Sequence, residues 1–246
     1  MLKMGENLFL MLSKKKVIVT GGSGRFGSVL KKTVNENYYF PKKNELNILN
    51  LKSIIKYFKK VKPKAVIHLA GLSRPMSLHE KKISESISLN IIGTCNIVIA
   101  CSKFNIKLIY FSTSYVYPGK KGNYKESDPL LPINNYAWSK LGGESAVHLY
   151  RNSLILRVSM TEKPFVHKSA YANMITNFIF HEDFIKIFKK IMHLRGVLNI
   201  GGPKSSVYKF VTRYQKVRKK YLKSKKSKMP LNSSMSLSKL NSFLNS

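Results

Sequence analysis

Tyr136 and Lys140 are the two side chains whose types and spacing most directly suggest chemistry. A separation of four residues places both on one face of a helix. A free tyrosine phenol has a pKa of about 10. A neighbouring ammonium stabilises the phenolate and lowers that pKa, so the phenol can exchange a proton near neutral pH. The sequence therefore predicts Tyr136 as an acid–base group whose pKa is lowered by Lys140.

A run of hydroxyl residues, Ser112-Thr113-Ser114, follows the apolar segment 108–111. That segment predicts a buried strand, and ligands bind at the carboxyl ends of strands in open parallel sheets. We therefore expect the Thr113 hydroxyl to hydrogen-bond the same substrate oxygen as Tyr136.

The stretch that would position a ligand beside these groups is KVIVTGGSGRFGSVL, residues 16–30. It predicts a short buried strand, a turn with Gly22, Gly24 and Gly27 preceded by Gly21, and the beginning of a helix. Glycines let the chain turn tightly and let its backbone approach a diphosphate, and the first N–H groups of the helix attract the anion. The alternative is an ordinary glycine-rich turn between a strand and a helix.

The second predicted strand, 38–40, runs into Pro41-Lys42-Lys43 and has no acidic residue at its end. In dinucleotide-binding folds an acidic residue there holds the ribose 2′-hydroxyl, whereas basic residues suit a 2′-phosphate. Lys42 and Lys43, with Arg25 as a second candidate, therefore favour NADP over NAD. The alternative is that they are ordinary surface lysines in a lysine-rich chain.

The remaining segments alternate between apolar strands and helices. Strand 65–69 ends in the small residues Ala70 and Gly71, which allow a cofactor to lie close. In the predicted long helix 78–103, Asn90 interrupts the inner face as either a satisfied core amide or an active-site group. Further strands are predicted at 154–158 and 197–200, and further helices at 51–60, 136–144, 181–192, 207–221 and 236–243. This alternation predicts an α/β fold with a doubly wound parallel sheet.

The composition of the 246 residues is strongly basic, with 44 Lys and Arg against 11 Asp and Glu and a formal net charge of +33. Because lysine is abundant along the whole chain, we interpret the charge as a compositional bias and expect no specific nucleic-acid partner. Cys95 and Cys101 lack metal-ligand spacing, which predicts free thiols, a reducing compartment and no metal site. We expect no membrane-spanning segment and no signal peptide, and therefore a cytoplasmic protein.

Taken in order, these segments resemble the extended short-chain dehydrogenase/reductase family, and within it the dTDP-4-dehydrorhamnose reductases and related nucleotide-sugar reductases. The matching segments are TGGSGRFG at 20–27, HLAG at 68–71, FSTSYVY at 111–117, ESDPLLPINNYAWSKLGGE at 126–144 and LRVS at 156–159. The resemblance implies a Rossmann fold that binds NADP or NAD, and a catalytic triad of Thr113, Tyr136 and Lys140.

The patterns and the resemblance together give a set of predicted ligand contacts. The predicted cofactor residues are Gly21, Gly24, Arg25, Phe26, Gly27, Lys42, Lys43, Asn47, Ala70, Gly71, Asn90, Tyr136 and Lys140. By resemblance, Asn47 hydrogen-bonds the adenine and Asn90 supports Lys140 through water. Ser114 and Arg157 are predicted on the substrate side, where Ser114 replaces an acidic residue of the reductases.

The predicted organisation has four parts. An N-terminal extension (1–13) precedes the dinucleotide-binding domain (14–160), which is followed by a shortened substrate lobe (161–222) and a basic linker with a short C-terminal segment (223–246). The lobe is expected to be reduced because only about two dozen residues separate Arg157 from the acidic helix start at Glu182.

These features predict an NADP(H)-preferring reductase of a 4-keto nucleotide sugar, with Tyr136 as the proton donor. One alternative is a nucleotide-sugar epimerase or dehydratase of the same fold. The other is a non-catalytic nucleotide-binding scaffold subunit, which would use its shortened lobe to contact a partner. The resemblance also implies a homodimer formed through paired helices.

Overall fold

The computed structural model describes residues 15–223 and 228–245. The predicted extension 1–13 and residues 224–227 of the predicted linker lie outside the described residues. The strands are β1 Val17–Thr20, β2 Tyr38–Tyr39, β3 Ala65–His68, β4 Lys107–Thr113, β5 Ser153–Val158, β6 Met160–Thr161, β7 Ser169–Tyr171, β8 Ile175–Thr176, β9 Ile179–Phe180, β10 Gly196–Ile200, β11 Ser205–Ser206 and β12 Arg218–Lys220. The helices are α1 Arg25–Lys31, α2 Leu51–Val61, α3 Ser77–Lys81, α4 Ile83–Lys103, α5 Asn135–His148, α6 His181–Ile191, α7 Val207–Val211 and α8 Ser238–Asn245.

Six strands form one parallel sheet in the order β10-β5-β4-β3-β1-β2. The side chains of β1, β3 and β5 are buried along their whole length, as expected where helices cover both faces of a parallel sheet. Helices α1, α6 and α8 contribute to the hydrophobic cluster on one face, and α2, α4 and α5 to the cluster on the other. The predicted doubly wound α/β fold is confirmed.

The order in which successive strands join the sheet changes direction between β1 and β3. The chain passes from β1 to β2 on one side and then crosses to β3 on the other side of β1. Connections that diverge from neighbouring strands leave a crevice at the carboxyl ends, where open α/β sheets bind ligands. The glycine turn follows β1 and Ala70-Gly71 follows β3, so both predicted motifs border this crevice.

The predicted helix 78–103 is divided in the structure. Residues Ser77–Lys81 form the separate helix α3, and residues Ser88–Ile92 give α4 a π-helical turn. By length and composition, helix α4 is also long and apolar enough to cross a membrane. The expectation that no run is long and apolar enough to span a membrane is therefore wrong. Core helices of soluble proteins can have the same length and composition.

Short strand pairs beside the sheet build a smaller unit from residues 160–222. Strand β6 pairs with β9, β8 with β11 and β7 with β12, around a cluster that includes Phe180 and Phe210. The predicted helix 207–221 is wrong beyond Val211, because α7 ends there and Arg218–Lys220 forms β12. This lysine-rich segment has few apolar side chains with which to bury a helix face, and pairing with β7 determines its conformation.

Residues 228–245 join the smaller unit to the sheet. Ser233 and Ser234 are fully buried. The Tyr124 N–H donates to the Ser234 carbonyl at 3.0 Å, and the Asn123 N–H donates to Ser234 Oγ at 2.9 Å. Helix α8 then returns to the sheet, where Leu240 enters the core. The boundaries between the four parts stay predictions.

Candidate functional site

The glycine turn after β1 has a geometry that larger residues would disrupt. Gly21 has a φ of +72°, and a Cβ there would lie 2.5 Å from the backbone nitrogen of Ala70. A Cβ on Gly27 would lie 2.6 Å from the Gly21 carbonyl oxygen. The Gly24 N–H donates to that same oxygen at 3.0 Å and closes the turn. The turn therefore depends on close backbone approach, as a diphosphate cradle requires.

A groove of about 1050 Å³ follows the turn along the crevice. Its lining includes these predicted cofactor residues: Gly21, Gly24, Lys42, Lys43, Asn47, Ala70 and Gly71. Lys31 and Lys32, at the end of α1, line the groove as well, and the Lys31 ammonium lies 5.8 Å from the ring centroid of Phe40. Sequence reasoning missed both lysines, although their place at the end of α1, just before β2, was the signal that could have indicated them.

Three other predicted cofactor residues lie elsewhere. The Phe26 ring packs in the core, with its centroid 5.2 Å from that of Phe111, and Gly27 packs behind the turn. Arg25 Nη2 donates to Ser73 Oγ at 2.8 Å, and Arg25 Nε lies 3.2 Å from Glu162 Oε1. The interpretation of Arg25 as a second 2′-phosphate ligand therefore has no support in the structure.

A buried histidine joins the ends of β1 and β3 to α4. The Thr94 hydroxyl donates to the Asn90 carbonyl at 2.8 Å, so its oxygen accepts from His68 Nε2 at 3.1 Å. His68 Nδ1 then accepts from the Thr20 hydroxyl at 2.7 Å. Burial, assisted by the charge of Lys140, lowers the pKa of His68 to about 3. His68 is thus a neutral link beneath the crevice, and sequence reasoning did not identify it.

The Asn90 side chain lies in the π turn of α4 and is buried. Its Oδ1 accepts from the Leu72 N–H at 2.7 Å, and its Nδ2 donates to the Leu72 carbonyl at 2.9 Å and to Ser139 Oγ at 2.8 Å. The amide thereby connects the loop after β3 to α5, which carries Tyr136 and Lys140. These bonds support a satisfied core amide; its contact with the cofactor and its water-mediated support of Lys140 stay predictions.

Thr113 and Tyr136 meet at the carboxyl end of β4. Tyr136 lies in the first turn of α5, close enough to Thr113 for the threonine side chain to favour the phenolate. Burial raises the pKa of Tyr136 above its ordinary value, while Thr113, Arg74 and Arg25 oppose this rise. The expectation of a lowered pKa is therefore wrong, because burial outweighs the groups that favour the phenolate.

Lys140 lies one helical turn beyond Tyr136. Its ammonium faces the ring of Tyr110, 4.2 Å from the centroid, in a cation–π contact. Burial lowers the pKa of Lys140 to about 7, and Glu144, one turn further along α5, opposes this shift. The charge of Lys140 therefore changes near neutral pH.

Arg157, predicted on the substrate side, forms a buried ion pair. Its Nη2 and Nε lie 2.7 and 3.0 Å from Glu144 Oε1, and its Nη1 donates to the Tyr117 hydroxyl at 2.8 Å. Ser112 donates to the other carboxylate oxygen. These contacts hold α5 to the sheet and do not support a substrate contact by Arg157. Ser114, the other predicted substrate residue, is also buried and begins the short turn after β4.

Comparison with known proteins gives a family and relatives. The RmlD substrate binding domain family matches residues 15–188. A dTDP-4-dehydrorhamnose reductase of Aggregatibacter actinomycetemcomitans is 28% identical over 199 residues, which are 76% of this chain and 62% of that protein. Methionine adenosyltransferase 2 subunit beta of Pongo abelii is 27% identical over 146 residues, 55% of this chain and 43% of that protein. The chain thus spans less than two thirds of the length of either relative.

A solved structure extends the similarity to the fold. A dTDP-4-dehydrorhamnose reductase from Bacillus anthracis, in complex with NADP, has a TM-score of 0.83 and 26% sequence identity, covering 94% of this chain and 93% of that chain. The similarity takes in both the parallel sheet and the smaller unit. The family match includes the glycine turn, Thr113, Tyr136 and Lys140. The resemblance read from the sequence is thereby confirmed: the chain belongs to the RmlD substrate binding domain family.

Proposed function

We propose that this chain is an NADP(H)-preferring reductase of a 4-keto nucleotide sugar. The observation that carries the proposal is the proximity of Thr113 and Tyr136 at the carboxyl end of β4, with Lys140 one turn along α5. The adjoining crevice has a complete glycine turn and a groove of about 1050 Å³. The similarity to dTDP-4-dehydrorhamnose reductases supports this substrate class.

The side chains divide the reaction between them. When bound, the dinucleotide supplies a hydride to the carbonyl carbon of the substrate. Tyr136 gives its phenolic proton to the carbonyl oxygen as negative charge develops there, and the product is an alcohol. Because burial raises the Tyr136 pKa, the phenol holds its proton at neutral pH. Thr113 hydrogen-bonds the same oxygen, and the Lys140 ammonium stabilises the resulting phenolate.

Replacement of the phenol tests this assignment. Tyr136→Phe should lower NADPH-dependent turnover of dTDP-4-dehydrorhamnose by at least about a hundredfold, because the proton donor is lost. NADPH affinity, measured by calorimetry, should change by less than about twofold, since the ring remains. Tyr57→Phe on α2, outside the crevice, is the matched control. Turnover by Tyr136→Phe close to that of the wild type would contradict the assignment of Tyr136 as the proton donor.

The preference for NADP rests on the lysines that line the groove. Lys31, Lys32, Lys42 and Lys43 offer positive charge to a 2′-phosphate. We expect the double variant Lys42→Ala/Lys43→Ala to weaken NADPH binding by about tenfold or more and to leave NADH binding nearly unchanged. Lys59→Ala/Lys60→Ala, at the end of α2, controls for the loss of two exposed charges. Equal weakening of both cofactors would contradict the preference.

A second candidate function is a nucleotide-binding subunit without turnover. The similarity to methionine adenosyltransferase 2 subunit beta favours it, since that relative is named as a subunit. This candidate predicts NADPH binding that depends on the glycine turn, with no oxidation of NADPH in the presence of any 4-keto nucleotide sugar. Turnover that disappears in Tyr136→Phe would exclude it.

A further inference from the structure

Two arginines and one glutamate bridge the crevice beside Tyr136. Arg74 Nη1 lies 3.1 Å from both carboxylate oxygens of Glu162, and Arg25 Nε lies 3.2 Å from Oε1. Arg25 follows the glycine turn, Arg74 lies in the loop after β3, and Glu162 follows β6. The three residues therefore connect the cofactor side of the protein to the smaller unit.

The loop that carries Arg74 is anchored at its start. Asn90 holds Leu72 through both its N–H and its carbonyl, and Ser73 Oγ accepts from Arg25 Nη2 at 2.8 Å. The two guanidinium groups thus converge from separate segments. A site for a ligand requires this kind of convergence from supported elements, whereas scattered surface arginines do not provide it.

The bridge lies within a field of positive charge close to the reactive hydroxyls. Both arginines are near enough to Tyr136 to lower its pKa, and Arg74 has the same effect on Tyr115, although burial outweighs it in both tyrosines. Arg74, Lys220 and Arg25 also lower the pKa of His167, after burial, which is the largest cause.

The carboxylate of Glu162 contacts both guanidinium groups, at the position that a bound anion would take. Its side chain is 16% exposed, whereas those of Arg25 and Arg74 are 42 and 35% exposed. Ligands can therefore reach the guanidinium groups from solvent. The planar fork of a guanidinium binds two oxygens of a phosphate in the same way as two oxygens of a carboxylate.

We propose that Arg25 and Arg74 form a subsite for the diphosphate of a nucleotide ligand, and that Glu162 occupies this subsite as an internal competitor until the ligand displaces it. The inference rests on the proposed function for the identity of the ligand. The glycine turn already provides a cradle for the diphosphate of a dinucleotide, so the position beside Tyr136 favours the sugar nucleotide. Displacement of Glu162 then opens the bridge when substrate enters.

Calorimetry with dTDP and, separately, with NADPH tests the proposal at a fixed ionic strength. Arg74→Gln should weaken dTDP binding by about tenfold or more, because a charged hydrogen-bond donor is lost. Glu162→Gln should strengthen it severalfold, because the competing charge is removed while the shape of the side chain is kept. Arg151→Gln, an exposed arginine beyond the end of α5, is the matched control.

The outcomes separate the possible sources of the diphosphate. A response of dTDP binding assigns the subsite to the sugar nucleotide, and a response of NADPH binding alone assigns it to the cofactor. No response of either ligand, or weaker binding by Glu162→Gln, would overturn the proposal. These measurements need no turnover, so failure of the Tyr136→Phe test would refute the reductase assignment without affecting them.

Discussion

Burial shifts the pKa values of Tyr136 and Lys140 in opposite directions, although the residues lie one helical turn apart. It raises the pKa of the phenol and lowers that of the lysine to about 7. Each shift favours the neutral form of its side chain. Tyr136 therefore keeps its proton across the neutral range, and Lys140 is the member of the predicted triad whose charge changes there.

The pH dependence of the reaction should follow Lys140. A lysine with a pKa of about 7 is charged below that pH and loses its charge as the pH rises. If the ammonium stabilises the phenolate, kcat/KM should fall roughly tenfold per pH unit above about pH 7. Lys140→Arg keeps its charge, so its profile should stay flat to about pH 9 at a lower absolute rate. A wild-type rate that does not fall between these pH values would show that the charge is not required.

At the scale of elements, α5 is held to the sheet by a buried ion pair. Glu144 on α5 contacts Arg157 on β5 and accepts from Ser112 on β4. Burial tends to raise the pKa of Glu144, but His148, Arg157 and Ser112 outweigh it and the pKa is lowered. The pair thus fixes the helix that carries Tyr136.

Loss of the Glu144 charge should destabilise the fold. Glu144→Gln should lower the free energy of unfolding by about 3–5 kcal/mol at neutral pH, because Arg157 would keep a buried charge without a partner. Replacing both residues, as Glu144→Met/Arg157→Met, should recover most of that loss, since no unpaired charge remains. Urea denaturation of the three proteins measures the difference. Equal destabilisation by the single and double variants would contradict this account of the pair.

Local patterns were sufficient to predict the elements that carry the site. The glycine turn, the apolar run before Thr113 and the spacing of Tyr136 and Lys140 each express a short-range requirement, namely tight turning, burial or a shared helix face. Such requirements appear within a few neighbouring residues. The parallel sheet follows from the alternation of strands and helices, and the structure agrees with it.

The predictions that the structure contradicts or does not support concern effects that arise between distant segments. Arg25 contacts Glu162 from a remote part of the chain, and no local spacing indicates that partner. The pKa of Tyr136 depends on how many atoms surround it, which helical spacing does not give. Segment 218–220 becomes a strand because β7 is available to pair with it. Charge and conformation at these places are decided by tertiary contacts.

At the scale of the whole molecule, α4 has an apolar stripe on its outer side. The stripe consists of Ile83, Ile87, Ile92 and Ile99, whose exposed fractions lie between 43 and 55%. Ile87 and Ile92 are five residues apart across the π turn, which accommodates one extra residue and keeps both on one face. Trp138, on the neighbouring helix α5, is similarly exposed. Helix α4 therefore has apolar residues on two faces, which explains its high mean hydropathy.

We expect the stripe to be covered by the same surface of a second copy, in the helix-paired homodimer implied by the family resemblance. Ile87→Lys together with Ile92→Lys would place charges in that apolar contact, where they would be desolvated without partners. The double variant should therefore elute with the mass of a single chain in size-exclusion chromatography with light scattering, whereas the wild type should have twice that mass. Val166→Lys, an exposed valine of the smaller unit, is the control and should leave the mass unchanged. A monomeric wild type would contradict the expected homodimer. A dimer that persists in the double variant would show that its interface lies on another surface.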